Sequence, residues 1–172
     1  MWLWMSTLVQ IHDISTSSLD GLGISLNIFF QGCNKRCVGC QNPELQDFSG
    51  GKSYNIDDIL YFIHENHDFY QSIVMTGGDP LCQPKALYIM ASNIILPTIL
   101  YTGEYFDRIP CSIKSAVAII EDGPFIQSLE TAGKFPASSN QKIWFNTKKL
   151  SSCDINSFID KHSIEEEYIK YY

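Results

Sequence analysis

Ile24-Ser-Leu-Asn-Ile-Phe-Phe30, followed at once by Gln31-Gly32-Cys33-Asn34-Lys35-Arg36-Cys37-Val38-Gly39-Cys40, is the stretch from which the fold can be read. Its first half alternates apolar and polar residues and then turns fully apolar, as a strand with one deeply buried end does. Its second half crowds three cysteines onto that strand's end. The same arrangement recurs downstream. Ser72-Ile-Val-Met-Thr76 ends in Gly77-Gly78-Asp79-Pro80, and Thr98-Ile-Leu-Tyr101 ends in Thr102-Gly103. Ala116-Val-Ala-Ile-Ile120 ends in Glu121-Asp122-Gly123-Pro124, and Ile143-Trp-Phe145 gives a fifth candidate strand.

Helical patterns separate these strands. Asn55 is a candidate N-cap, with Asp57 and Asp58 in the first turn and apolar spacing to about His67. Lys85 to Asn93 and Asp154 to His162 read as further helices, and the polar stretch Ser15 to Asp20 as a connection. Strands apolar on both faces and spaced by helices predict βα units around a mostly parallel sheet, an α/β fold. A closed eight-unit barrel takes around 250 residues. A chain of 172 residues is therefore expected to form an incomplete (βα) barrel of about five to six units, as one domain over 1–172. In such folds chemistry sits at the C-terminal ends of the strands.

Composition narrows the function classes. The net charge of −7 and isoelectric point of about 4.9 argue against direct nucleic-acid contact. The run Glu165-Glu166-Glu167 reads as a solvated face. No apolar run reaches the roughly 20 residues that span a bilayer. Met1-Trp2-Leu3-Trp4-Met5 is too short, and lacks the basic flank, for a signal peptide. A cytoplasmic protein without a membrane partner is expected. Six cysteines could form a disulfide framework, but a chain of this size without an export signal does not need one. Cys82, Cys111 and Cys153 stand alone and read as small structural or surface residues.

Cys33, Cys37 and Cys40 have the spacing C-x3-C-x2-C. Three thiolates on a tight loop suit three corners of a cubane iron–sulfur cluster and leave one iron open to a substrate. A structural zinc site would need a fourth ligand, which His64 or His67 could supply. Lys35 and Arg36 within the loop suit an anionic neighbour. Gly77-Gly78-Asp79-Pro80 is a bend without side-chain bulk at its start, where backbone N–H and C=O groups can approach an amino-acid-like ligand.

The combination Gly32-Cys33-x3-Cys37-x-Gly39-Cys40-Gln41-Asn42-Pro43-Glu44, then Gly77-Gly78-Asp79-Pro80, resembles the radical S-adenosylmethionine superfamily. Within it, the chain looks like the activating proteins of anaerobic (class III) ribonucleoside-triphosphate reductases. Asp20-Gly21-Leu-Gly23, Tyr101-Thr102-Gly103, Asp122-Gly123-Pro124-Phe125 and Ser138-Ser139-Asn140-Gln141-Lys142-Ile143 fall in that subgroup's order, so the likeness runs from about residue 20 to 145. Gly39 stands where the wider superfamily often has an aromatic residue, as is common in the subgroup. Lys142 stands where arginine is common, which keeps the charge but not the bidentate geometry.

This resemblance implies a radical S-adenosylmethionine fold, and an oxidoreductase that cleaves S-adenosylmethionine reductively at a 4Fe–4S cluster on Cys33, Cys37 and Cys40. The product radical would abstract hydrogen from a glycine of a large partner, an anaerobic ribonucleoside-triphosphate reductase. An electron donor such as flavodoxin or ferredoxin is implied as well. By the same analogy Gly39, Cys40, Gln41, Gly77, Gly78, Asp79, Thr102 and Gly103 are the cofactor-binding candidates, with Asp122 and Asn140 further ones. Tyr101 reads as core, Asn140 equally as a loop cap, and Trp2, Trp4 and Trp144 as packing or interface residues. The alternatives are an activase of another glycyl radical enzyme such as pyruvate formate-lyase, a small-molecule radical enzyme, or a non-catalytic zinc- or cluster-binding module.

Overall fold

The computed structural model describes residues 7–172. Trp2 and Trp4 lie outside the described residues. Eight strands form one sheet: β1 (Leu8–Ser17), β2 (Ser25–Phe30), β3 (Lys52–Asn55), β4 (Ser72–Gly77), β5 (Thr98–Tyr101), β6 (Ile119–Asp122), β7 (Lys142–Phe145) and β8 (Ile169–Tyr171). Their order is β3-β1-β2-β4-β5-β6-β7-β8. The helices are α1 (Ile56–Glu65), α2 (Pro84–Asn93), α3 (Cys111–Ala116) and α4 (Ser152–His162).

The expected α/β fold forms, with β2, β4, β5 and β6 as its parallel centre. In chain order α1, α2 and α3 lie between successive strands of that centre, and α4 lies between the parallel pair β7 and β8. The sheet ends at β3 on one side and β8 on the other, an incomplete barrel with two edges. The fifth expected strand, Ile143-Trp-Phe145, lies within β7 but runs antiparallel to β6.

Three elements differ from the sequence reading, and the strand expected over Ala116 to Ile120 begins only at Ile119, because Ala116 ends α3. Ser15 to Ser17 belong to β1, which pairs antiparallel with β2, instead of to a connection. The outer half of β1 is polar because it is largely exposed, so only its pairing with β2 marks it as a strand. β3 and β8 are edge strands of four and three residues. They are too short to show a period of two.

Alternation along the central strands explains why both faces read as apolar. Ile73, Met75, Leu100 and Ile120 point into a core shared with α1, α2 and α3. Val74, Ile99, Ile119, Ile143 and Phe145 point into a second core, where Ile155 and Phe158 of α4 pack. The residues two places further along this second face are Thr76, Tyr101 and Glu121, and they line a cavity of about 520 Å³. One sheet face thus has an apolar half closed by α4 and a polar half left open at the C-terminal strand ends.

The helix termini follow sequence rules. Asn55 caps α1 by accepting from the Asp57 N–H at 3.2 Å. Ser151 and Asp154 form a capping box on α4. Among the described residues, no helix is long and apolar enough to cross a membrane.

Candidate functional site

The cysteine loop leaves the end of β2 and is tied on both sides. Gly32 N–H donates to Leu45 O at 2.8 Å, and Cys33 N–H to Gln46 O at 3.3 Å, which returns the loop to its origin through the turn Pro43–Gln46. The buried Gln31 amide reinforces that return by donating to Asp47 O at 2.6 Å and Glu44 O at 3.2 Å. On the other side Gly78 N–H donates to Phe30 O and Asp79 N–H to Gly32 O. The Gly77-Gly78-Asp79-Pro80 turn and the cysteine loop are therefore one hydrogen-bonded unit. Lys35 clamps the loop to the next strand end through Glu104, Nζ to Oε2 at 2.6 Å.

Cys33, Cys37 and Cys40 line a single cavity of about 170 Å³, together with Gln41, Gly78 and Gly103. Burial pushes the Cys33 thiol up, and the Lys35 N–H at 3.4 Å from its Sγ works against that. Among the described residues, no three His, Cys, Asp or Glu side chains converge to where one metal ion would sit. Zinc draws its ligands to within about 2.3 Å of one point, whereas a cubane takes one thiolate at each of several corner irons. The donor set, three free thiols around one pocket, is chemically suited to the latter. His64 and His67 do not line this cavity. They sit at the exposed end of α1, where His67 Nδ1 lies 2.7 Å from the His64 carbonyl oxygen.

The larger cavity adjoins the smaller one. Gln41, Asn42, Gly78 and Ala137 line both, so a ligand filling the 520 Å³ space meets the three-cysteine pocket across a shared wall. Its volume lies within the roughly 300–1,000 Å³ of small-molecule sites. Of the sequence candidates, Gly77 and Thr102 line the larger cavity and Gly103 the smaller. Gly39 and Asp79 line neither. The Asp79 carboxylate is buried and accepts from Thr102 Oγ1 at 2.8 Å, Leu81 N–H at 3.0 Å and Gly103 N–H at 3.2 Å. It fastens the end of β4 to the end of β5. Asp122 and Asn140 also line neither cavity. Asp122 accepts from Phe106 and Lys142 N–H groups, and Asn140 caps its loop on Pro124 O.

Sequence reasoning missed Glu121. It is 7% exposed, lines the larger cavity, and its carboxyl has no hydrogen-bond partner among the described residues. Burial, with Asp122 adding, raises its pKa to about 8. Tyr101, read as core, also lines the cavity, and its hydroxyl donates to Asp20 O at 2.5 Å. The Asp20 carboxylate in turn accepts from Ser17 Oγ and Asn27 Nδ2. Counting by two from Ile119 and Ile99 would have found both residues.

The profile of the 4Fe–4S single cluster domain family matches residues 19–144. The chain belongs to that family. Family membership brings an iron–sulfur cluster to a chain whose three crowded thiols already share one pocket. The anaerobic ribonucleoside-triphosphate reductase-activating protein of Enterobacteria phage T4 is 27% identical over 140 residues, 75% of this chain and 88% of that protein. The pyruvate formate-lyase-activating enzyme of Clostridium pasteurianum is 34% identical over 83 residues, 45% of this chain and 35% of that enzyme. Pyruvate formate-lyase 1-activating enzyme of Escherichia coli K12 is 32% identical over 86 residues, again 35% of its length. The resemblance to radical S-adenosylmethionine activating proteins, read from the motifs, is borne out by these matches. The chain spans most of the phage relative but only about a third of the pyruvate formate-lyase-activating enzymes.

Proposed function

We propose that this chain activates a glycyl radical enzyme, an anaerobic ribonucleoside-triphosphate reductase, by cleaving S-adenosylmethionine. The observation that carries the reading is the shared wall of the two cavities: a pocket of substrate size adjoins the pocket that the three thiols line. The reductase, over pyruvate formate-lyase, is favoured by the phage relative, whose match covers both chains over most of their length.

Cys33, Cys37 and Cys40 would hold three irons of the cluster. When bound, a 4Fe–4S cluster with one open iron supplies an electron, from an external donor such as flavodoxin or ferredoxin, that breaks a carbon–sulfur bond of S-adenosylmethionine to leave methionine and a 5′-deoxyadenosyl radical. The chain's own residues orient and shield that substrate. The backbone of Gly77 and Gly78 takes the amino-acid end, next to the cysteine pocket. Gln41 separates the two cavities. Tyr101 and Glu121 face the rest of the substrate, and Asp20 and Asn27 fix the far wall.

Glu121 makes the binding pH-dependent. In the free protein its carboxyl holds a proton below about pH 8. Asp122 is beside it, and Tyr101, Asp20, Glu130 and Lys134 line the same cavity, with the Lys134 ammonium paired to Glu165 at 2.8 Å. A sulfonium in the cavity favours the ionised form, so binding releases that proton. Affinity is expected to rise with pH, by up to about tenfold per unit, and level off above about 8. Isothermal titration of S-adenosylmethionine between pH 6 and 9 measures the slope. Glu121→Gln should flatten it, and an equally steep slope in the variant would remove Glu121 from the account. For the activation itself, the reduced protein is mixed with the candidate reductase and S-adenosylmethionine and followed by electron paramagnetic resonance. A glycyl radical doublet is expected. A doublet only with pyruvate formate-lyase would reassign the partner.

A further inference from the structure

A third cavity, of about 580 Å³, shares no lining residue with the two described above. It opens between α3, the loop after β7 and the end of β8. Phe106 and Tyr172 give it an aromatic wall, and Lys114, Lys148 and Lys149 converge on it from two separate segments. The aromatic wall is rigid. Phe106 stacks on Trp144 with ring centroids 3.8 Å apart, and Tyr172 meets its edge at 5.0 Å. The Tyr172 hydroxyl donates to Lys114 O at 3.1 Å, and the Asn146 amide donates to Val117 O at 3.1 Å while accepting from the Lys148 N–H. The backbone that carries the lysines is thus fixed by internal bonds, and those polar groups are already satisfied.

The ammonium groups lack an acidic partner, although Lys114 Nζ donates to Phe106 O at 3.4 Å. Among the described residues none of the three meets a carboxylate within 4 Å; Lys114 Nζ lies instead 4.6 Å from the centroid of the Phe106 ring. The protein as a whole carries a net charge of −7 and only 12 lysines and arginines. Gathering three of those cations around one concave space without an acidic partner sets up a local positive field in an acidic molecule. A bound anion relieves it. The volume lies within the range of small-molecule sites, and the space is broadly open to solvent. The aromatic side of the cavity asks for a ring as well as a charge.

We infer that this cavity binds a nucleoside triphosphate, with the phosphates on Lys114, Lys148 and Lys149 and the nucleoside against the Phe106–Tyr172 wall. Lysine serves phosphate as a point charge, which needs no bidentate geometry. The inference is independent of where S-adenosylmethionine binds, since the two cavities have no residue in common.

Calorimetric titration of the cluster-loaded protein tests it, with S-adenosylmethionine present in excess so that the 520 Å³ cavity is filled. The probes are ATP, inorganic tripolyphosphate and adenosine. ATP is expected to bind one to one, more tightly than tripolyphosphate, and adenosine much more weakly than either. The double variant Lys148→Glu/Lys149→Glu should weaken ATP at least tenfold. Both lysines are exposed, so the fold survives, and 5′-deoxyadenosine formation should be unchanged. Tyr172→Ala should weaken ATP but not tripolyphosphate. Equal ATP affinity in wild type and double variant, no ATP binding at millimolar concentration, or tripolyphosphate binding as tightly as ATP would each overturn the inference. Failure of 5′-deoxyadenosine formation in the wild type instead bears on the proposed function alone.

Discussion

Cys37→Ala is expected to strip the protein of its cluster and abolish S-adenosylmethionine cleavage while leaving the fold intact. Cys37 is suited to this test because its thiol is partly exposed and makes no hydrogen bond, whereas Cys33 is buried and accepts from the Lys35 N–H. The Cys37 backbone carbonyl, which accepts from Cys40 N–H at 3.2 Å, is retained in the variant. Loop geometry therefore persists, and only one corner ligand is lost. A cubane held by two thiolates has two irons without a protein ligand. After anaerobic reconstitution, iron and sulfide content should fall at least about tenfold below the four of each per chain in a full cluster. The broad absorbance of the cluster should fall with it. Circular dichroism should match wild type. A variant with full iron content and full activity would displace Cys37 from the ligand set.

Gly77→Ala is expected to have the largest effect among substitutions that touch no thiol. Gly77 has φ +107°, a region that residues with a Cβ rarely adopt. It is also in register with Phe30 of β2, and a Cβ there would lie 2.5 Å from both Phe30 N and Phe30 O. These are backbone atoms of a buried strand pair, so no side chain can swing aside. Relief requires β2 and β4 to separate where Gly78 N–H donates to Phe30 O, directly before the cysteine loop. Backbone strain of this kind costs about 1–3 kcal/mol, and the overlap adds to it. A loss of about 3 kcal/mol should lower the melting temperature by about 10 °C in a chain of this size. S-adenosylmethionine affinity should fall together with stability. A variant within about 0.5 kcal/mol of wild type, with unchanged affinity, would show that this turn does not set the site.

The parallel centre of the sheet was legible because its strands are buried on both faces, so that Ser72-Ile-Val-Met and Thr98-Ile-Leu-Tyr read as unbroken apolar runs. The helices showed their caps, with Asn55 and its two following aspartates the clearest. β1 was partly hidden because its second half is polar and solvated, and β8 because three residues carry no period. At the site, the cysteines and the double glycine were visible from spacing. Glu121 was not, because a glutamate at a strand end looks like any exposed acid until the inward face of Ile119 is known. Asp79 was visible as part of a motif, but its work is structural support for Thr102 and Gly103 and not contact with either cavity. The lysine-lined cavity could not be read at all, since Lys114 and Tyr172 meet across 58 positions of sequence.

The most direct test of the central claim is product analysis on the wild-type protein. The cluster is reconstituted anaerobically and reduced, S-adenosylmethionine is added, and 5′-deoxyadenosine and methionine are measured. The account predicts both products in equal amounts, dependent on the reductant and absent from Cys37→Ala. An intact, reduced cluster that yields no 5′-deoxyadenosine would contradict it.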